Sequence, residues 1–337
     1  MSDKLVDILF ISLVALLIAY VIRKGIIRQR KQQPSEEIRS VDQPKDNAVP
    51  GKRMGDEQKS KQREASQAAA PLINDLLMMR QEENPTARGG LIKNEKDGTR
   101  LMLIPEGEFL AGGSGSNEGG STFPVRLPAY YMAIHTVTNA QYAKFLCEVQ
   151  PGSSDLEEWM TFDSDCFVRK AGKGYEAYEN KEEHPVVQVS WSGAVAYCEW
   201  AGLRLPRELE WEKAARGIDG REYPWGNEWD ETKCRNVKNK GSERTCSVWS
   251  YPEGTSVWGI YQMAGNVWEW CEDWYDSEAY ERYKEGKLEP PTSGSYGVVR
   301  GGAWSFDSPG YFRCALRFFY WQGRHNDNYG FRCARTF

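Results

Sequence analysis

From Ala303 to Phe337 the chain contains no Lys, Glu, Met, Ile or Val. Lys284, Glu285, Lys287 and Glu289 immediately upstream show that Lys and Glu are used freely elsewhere. The absence sets this stretch apart in composition from the rest of the chain. Before Asp97 there is no Cys and no Trp, so all eight Cys and all thirteen Trp fall in the C-terminal two-thirds, where a core must lie. No CxxC pair points to zinc. The net charge of -5 offers no basic footprint, so nucleic acid is not an expected partner.

One long apolar run is present. Leu5 to Ile22 is interrupted only by Asp7 and Ser12 and spans roughly 27 Å as a helix, close to a hydrocarbon core. It begins Met-Ser-Asp-Lys and is followed by Arg23-Lys24, unlike a cleaved signal peptide, and predicts a single uncleaved membrane anchor. Arg23, Lys24, Arg28, Arg30 and Lys31 crowd its C-terminal side, so charge bias places the large domain on the cytoplasmic side. The eight Cys point instead to an oxidising compartment. Residues 23–98 read as a basic and polar, largely disordered linker, with a short helix over 68–81.

The folded domain is expected over 99–337, opening with LMLIP and EGEFLAGG as strand, turn and strand. Thr138-Asn-Ala-Gln141 is a capping-box pattern, followed by Tyr142, Phe145, Leu146 and Val149 at helical spacing. Ser192 to Ala201 predicts a helix ending at Gly202, and Pro206 opens another that Gly217 closes. The remainder is Gly- and Trp-rich with little periodicity, which predicts a loop-heavy α+β domain.

In the final segment, Phe306, Tyr311, Phe318, Phe319, Tyr320, Trp321 and Tyr329 alternate with Ser, Asp, Asn, Gly and Arg. Rigid aromatics give contact area at low entropy cost and small polar groups adapt their hydrogen bonds, as in a paratope. Phe306, Asp307, Tyr311, Phe318, Tyr320, Trp321, His325 and Asn328 are the candidate ligand-binding residues, for an unidentified protein or surface ligand. The competing reading is the aromatic end of a core.

A train of motifs accompanies these features: His184-Pro-Val-Val-Gln-Val-Ser-Trp191, Ala196-Tyr-Cys-Glu-Trp-Ala-Gly202, Arg204-Leu-Pro-Arg-Glu-Leu-Glu-Trp211, Tyr223-Pro-Trp-Gly-Asn227, Tyr261-Gln-Met-Ala-Gly-Asn-Val-Trp-Glu-Trp270, Arg300-Gly-Gly-Ala-Trp304 and Gly330-Phe-Arg332. In this order the chain resembles the formylglycine-generating-enzyme (sulfatase-modifying factor) family. The resemblance implies a loop-rich variant of the C-type lectin fold, here preceded by one transmembrane helix and a disordered linker.

The enzymes of that family bind copper through two cysteines shortly after the Gly-Gly motif. Ser305 to Phe312 contains none, so no copper is expected. His135, His184 and His325 are too scattered to match the three-His iron branch. The resemblance also implies calcium at Asn266 and Glu269, whose oxygens suit that hard cation. The other reading of these two is that Asn266 turns the chain and Glu269 is a buried hydrogen-bonding acid. Cys198 and Cys333 match a pair that is disulfide-bonded in secreted relatives, and Cys234 with Cys246 could form a further bridge.

A subset of the family comprises the variable proteins of diversity-generating retroelements, which diversify residues between these last two motifs by altering adenines in Asn codons. Such codons cannot yield Lys, Glu, Gln, Met or Trp, which makes Trp321 and Gln322 fixed positions. The readings carried forward are a non-catalytic membrane-tethered binding protein, a divergent enzyme or accessory factor of the sulfatase-modifying family, and a structural subunit of a membrane complex. The charge bias after Ile22 predicts that protease added outside intact cells spares the domain; external digestion of the domain would reverse the topology.

Overall fold

The computed structural model describes residues 90–115 and 117–337. The expected anchor Leu5–Ile22, most of the linker and the helix over 68–81 lie outside the described residues. Among the described residues no helix is long and apolar enough to cross a membrane.

The ladder begins before Thr99. Strand β1 (Leu91–Lys93) pairs antiparallel with β2 (Arg100–Ile104). Its connection is a turn closed by hydrogen bonds between Asn94 and both Gly98 and Thr99, which is why the stretch read as linker. Strand β3 (Gly107–Ala111) follows but does not pair with β2; its partner is β4 (Phe123–Leu127). β2 pairs instead with β5 (Tyr130–Ala133), which also takes the last strand, β12 (Ala334–Thr336), so the first sheet runs β1-β2-β5-β12.

Three helices follow their end signals. In α1 (Asn139–Val149) the Thr138 hydroxyl accepts from the Gln141 amide at 3.2 Å, and the Gln141 side chain accepts from the Thr138 amide at 3.0 Å. Tyr142, Phe145 and Leu146 put one face into the core. After the short α2 (Ser153–Trp159) and the hairpin β6 (Val168–Ala171) and β7 (Gly174–Ala177), α3 (Trp191–Ala201) starts at Ser190, whose hydroxyl accepts from the Gly193 amide at 3.0 Å. It stops at Gly202, whose φ of 71° is a left-handed conformation that glycine adopts without a Cβ penalty. Helix α4 (Glu208–Arg216) ends at Gly217 as expected, but Pro206 lies before its N-cap, Arg207. The Arg207 amide is needed as a donor to the Glu210 carboxylate, at 2.9 Å.

The second sheet is built from the C-terminal third: β8 (Trp268–Trp274), β9 (Tyr296–Arg300), β10 (Phe318–Trp321) and β11 (Tyr329–Phe331), in the order β10-β9-β8-β11. β11 runs parallel to β8, and the chain then returns to the first sheet as β12 (Ala334–Thr336). The short helix α5 (Ala279–Lys284) bridges β8 and β9 and buries Tyr280 and Tyr283.

All nine residues of α4 are buried, acids and bases included. A buried carboxylate is costly unless paired and hydrogen-bonded. Glu212 accepts from the Gly112 amide and Arg216 Nη1, each at 2.7 Å, from Arg300 Nη2 at 2.8 Å, and from the Tyr280 hydroxyl. Burial would raise its pKa, but Arg300 and Arg216 outweigh that and hold it below the usual carboxylate value. Glu208 takes Arg317 in a two-pronged pair, Nε at 2.8 Å and Nη2 at 2.9 Å. Arg300 adds a 3.3 Å contact to the same carboxylate. Losing one member of such a pair costs on the order of 3–5 kcal/mol, because the other charge is stranded.

Buried titratable groups outside this network set an acid limit. Burial pushes His135 down to about 4 and His184 down to about 3, so both fold as neutral rings. Below pH ~6.5 the unfolded chain binds protons that these two cannot, so stability falls as pH drops. Asp273 opposes this: burial, reinforced by Glu208, pushes it up to about 7, so between pH 7 and about 4 the folded state holds the extra proton and gains stability on acidification. Two histidines against one aspartate leave a net loss of up to ~1.4 kcal/mol per pH unit in the shared window. Thermal melts between pH 6.5 and 4 should therefore fall in wild type. They should fall less steeply in His184→Gln, and more steeply in Asp273→Asn.

Candidate binding surface in the C-terminal segment

The segment after β9 turns back at Gly301-Gly302. Gly302 has φ 76°, and a Cβ there would lie 2.6 Å from the Tyr311 carbonyl oxygen, so only glycine lets the returning loop close so tightly. Hydrogen bonds from the Trp304 amide to Asn266 O (3.0 Å) and from the Gly265 amide to Gly301 O (2.8 Å) fix the turn to the preceding loop.

Four of the candidate ligand-binding residues meet in one layer of rings. Phe306 and Tyr311 pack at 4.4 Å between centroids, Phe306 stands edge-on to Trp268 at 5.7 Å, and Phe318 stacks on Trp268 at 5.4 Å. Tyr320 lies 5.4 Å from Phe318 and 4.5 Å from Tyr329. The layer follows from the two-residue repeat of β10, which sends Phe318 and Tyr320 to one side. Phe319 goes to the other side, stacking on Tyr275 at 4.1 Å.

The other four are dispersed. Trp321 is 63% exposed and lies over Gly323. Asp307 is exposed, and His325 Nε2 lies 3.1 Å from Glu158 O, with burial lowering its pKa. Asn328 is buried and donates to the Ser305 hydroxyl at 3.0 Å. Among the described residues its Oδ1 and the indole N–H of Trp268 have no hydrogen-bond partner. The segment is thus a half-buried aromatic layer with exposed points at Asp307 and Trp321, intermediate between the contact surface and the core end that the composition allowed.

The copper-site residues do not fit the metal. Between Ser305 and Phe312, where the resemblance places two thiolates, there is no Cys, and the rings of Phe306 and Tyr311 pack on each other instead. The nearest thiol in sequence, Cys314, is buried, and burial pushes it up to about 12, so it is protonated. Asn266 and Glu269 do not fit calcium either. Glu269 spends one oxygen on Arg332 Nη2 (2.7 Å) and the other on Arg332 Nε (2.6 Å) and the Trp211 indole (2.8 Å). Asn266 adopts φ 67°, accepts from the Cys246 amide and donates to Gln262. Among the described residues no three His, Cys, Asp or Glu group as metal ligands. Cys198 and Cys333 face each other in the core as thiols with sulfurs 3.6 Å apart, and Cys234 and Cys246 are thiols too.

Sequence reasoning missed a cleft beside this layer. Residues of the 225–238 loop and Pro309 of the C-terminal segment border an open cleft of about 670 Å³, lined in part by Trp225 and Trp229. Tyr223 stacks on Trp225 and Phe312 on Trp229, so the cleft wall continues into the aromatic layer. Its signal was two Trp within an otherwise polar stretch that the fold motifs only partly account for.

This architecture is a loop-rich α+β fold of C-type lectin type, with a Gly-Gly turn and a Gly-Phe-Arg strand framing the C-terminal segment. The chain belongs to the sulfatase-modifying factor enzyme 1-like family, whose domain matches residues 89–337. It is 37% identical over 281 residues to the serine/threonine-protein kinase Pkn1 of Chlamydia trachomatis, a match covering 80% of this chain and 42% of that protein. The chain thus spans about two-fifths of the Chlamydia kinases it matches. It is 34% identical over 279 residues to the formylglycine-generating enzyme of Streptomyces coelicolor, covering 69% of this chain and 88% of the enzyme. In fold it is similar to PvdO from Pseudomonas aeruginosa, with a TM-score of 0.57 at 22% identity, covering 74% of this chain and 98% of that one. Treponema denticola variable protein 1 gives 0.55 at 22% identity, covering 73% and 98%.

The split within the segment predicts a split in mutational cost. Trp321→Ala and Asp307→Ala should change stability by less than ~0.5 kcal/mol. Phe318→Ala and Phe306→Ala, which uncover Trp268, should cost about 2–4 kcal/mol in denaturant titrations. Equal costs for all four would dissolve the distinction.

Proposed function

We propose that this protein is a non-catalytic ligand-binding protein, tethered to a membrane by Leu5–Ile22, that presents the C-terminal aromatic layer and its exposed edge to a protein or surface ligand. The observation that carries this reading is the half-buried Phe306–Tyr311 ring pair, which stands in the stretch where the resemblance places two thiolates. The composition of Ala303 to Phe337 supports a narrower form, diversification by a retroelement. The family's calcium has no part in this reading, because a cation at Glu269 would have to displace Arg332.

The identity of 34% to a formylglycine-generating enzyme favours a second reading, a divergent oxidase. The two separate cleanly. The full-length chain loaded with Cu(I) and given a Cys-containing sulfatase peptide should show no copper-dependent oxidation. Stoichiometric Cu(I) binding with turnover would overturn the binding-protein reading. For the narrower form, DNA flanking the gene should hold a near-copy of the final codons differing only at adenines, beside a reverse transcriptase.

A further inference from the structure

The cleft between the Trp225–Trp229 loop and Pro309 has chemistry that the aromatic layer lacks. Its two indoles lie 6.0 Å apart at 48° to each other. Each is held in place: Trp225 by Tyr223 at 5.4 Å and by its N–H to Glu228 O at 3.0 Å, Trp229 by Phe312 at 5.0 Å. The apolar wall is therefore set before any ligand arrives, which lowers the ordering cost of binding.

The charges around that wall are not balanced. Lys238 is paired with Glu231 at 2.8 Å, and Lys233 lies 4.0 Å from Asp230. Glu228 also lines the cleft, is exposed, and among the described residues its carboxylate has no hydrogen bond or ion pair. Asp307, next but one to Pro309, adds a second exposed carboxylate near Lys238. Both cationic side chains lining the cleft are thus committed, and negative charge is left over against aromatic faces.

We infer that this cleft is the seat for an arginine side chain of a partner protein, its guanidinium laid on the indoles and hydrogen-bonded to Glu228; the inference rests on the binding-protein reading above. A guanidinium is flat enough to stack on an indole, is weakly hydrated, and presents paired donors to a carboxylate. A neutral sugar would use the indoles but gain little from a free carboxylate's charge. An anionic ligand would meet repulsion from Glu228.

The test is calorimetric titration of the full-length chain with acetyl-Gly-Arg-Gly-amide, with its citrulline counterpart, which keeps the shape and removes the charge, and with cellotriose. The arginine peptide should bind saturably and weaken several-fold when salt is raised from ~0.1 to ~1 M. Citrulline should bind about 10-fold more weakly or worse. Glu228→Gln should weaken the arginine peptide by a similar factor and leave the citrulline peptide unchanged, with melting unaltered because Glu228 is exposed. Trp225→Leu, checked for melting, should weaken both peptides. The inference is overturned by equal binding of the two peptides, by indifference to Glu228→Gln, by no saturation up to roughly 10 mM peptide, or by saturable binding of cellotriose alone. Copper turnover tests the underlying reading by a separate readout, so either idea can fail without the other.

Discussion

Arg300 is wholly buried, and a guanidinium cannot lose its charge to suit such a place. It needs acceptors, and the domain supplies them to both terminal nitrogens, while among the described residues its Nε has none. Glu212 and Glu208 come from one helix, and the carbonyls of Cys314 and Ala315 from the C-terminal segment, at 2.7 and 3.3 Å. Arg317 closes the network from the end of the loop that joins β9 to β10, with its guanidinium 4.2 Å from the Tyr280 ring. Strand β9, helix α4, helix α5 and the C-terminal loop thus take their relative positions from one set of charges. A second, separate pair, Arg332 with Glu269, does the same for β8 and β11.

This constraint explains how a segment rich in half-exposed aromatics keeps a defined shape. The loop between β9 and β10 is gripped at both ends by the buried Arg300 and Arg317, and the Gly301-Gly302 turn brings Tyr311 back against the chain. The loop's path rests on backbone carbonyls and glycine, and Phe306 and Tyr311 add ring packing to it, so it is exposed positions such as Asp307 that can vary while the path is retained. Such a rigid frame around adaptable residues is what a binding surface requires. The Trp225–Trp229 cleft borders the same loop through Pro309 and Phe312, so the two features form adjoining parts of one face.

Much of the local structure was legible. The Thr138–Gln141 capping box, the Gly202 and Gly217 stops and the buried face of α1 each depend on neighbours within one or two turns. The order of motifs gave the family and hence the fold. The start of the domain was misplaced by the Asn94–Gly98 turn, because a three-residue edge strand carries little periodicity and acquires meaning only by pairing with β2. β2 and β3 looked like a hairpin, but β2 pairs with β1 and β5, and β3 pairs with the next strand, β4.

The site was less legible because the residues that define it are settled by what they touch. Composition marked Ala303 to Phe337 as aromatic and adaptable, and it marked the missing thiolates after Gly302; both are facts of residue type, which sequence alone determines. It could not tell which aromatics cover Trp268 and which face water, since that depends on the pleat of β10 against β9. Nor could it say that Glu269 would face Arg332 rather than a cation, or that two tryptophans in a polar loop would wall a cleft bordered by a proline some eighty residues away. Contacts between remote segments are created by tertiary packing, and in this domain they decide the chemistry each side chain is free to perform.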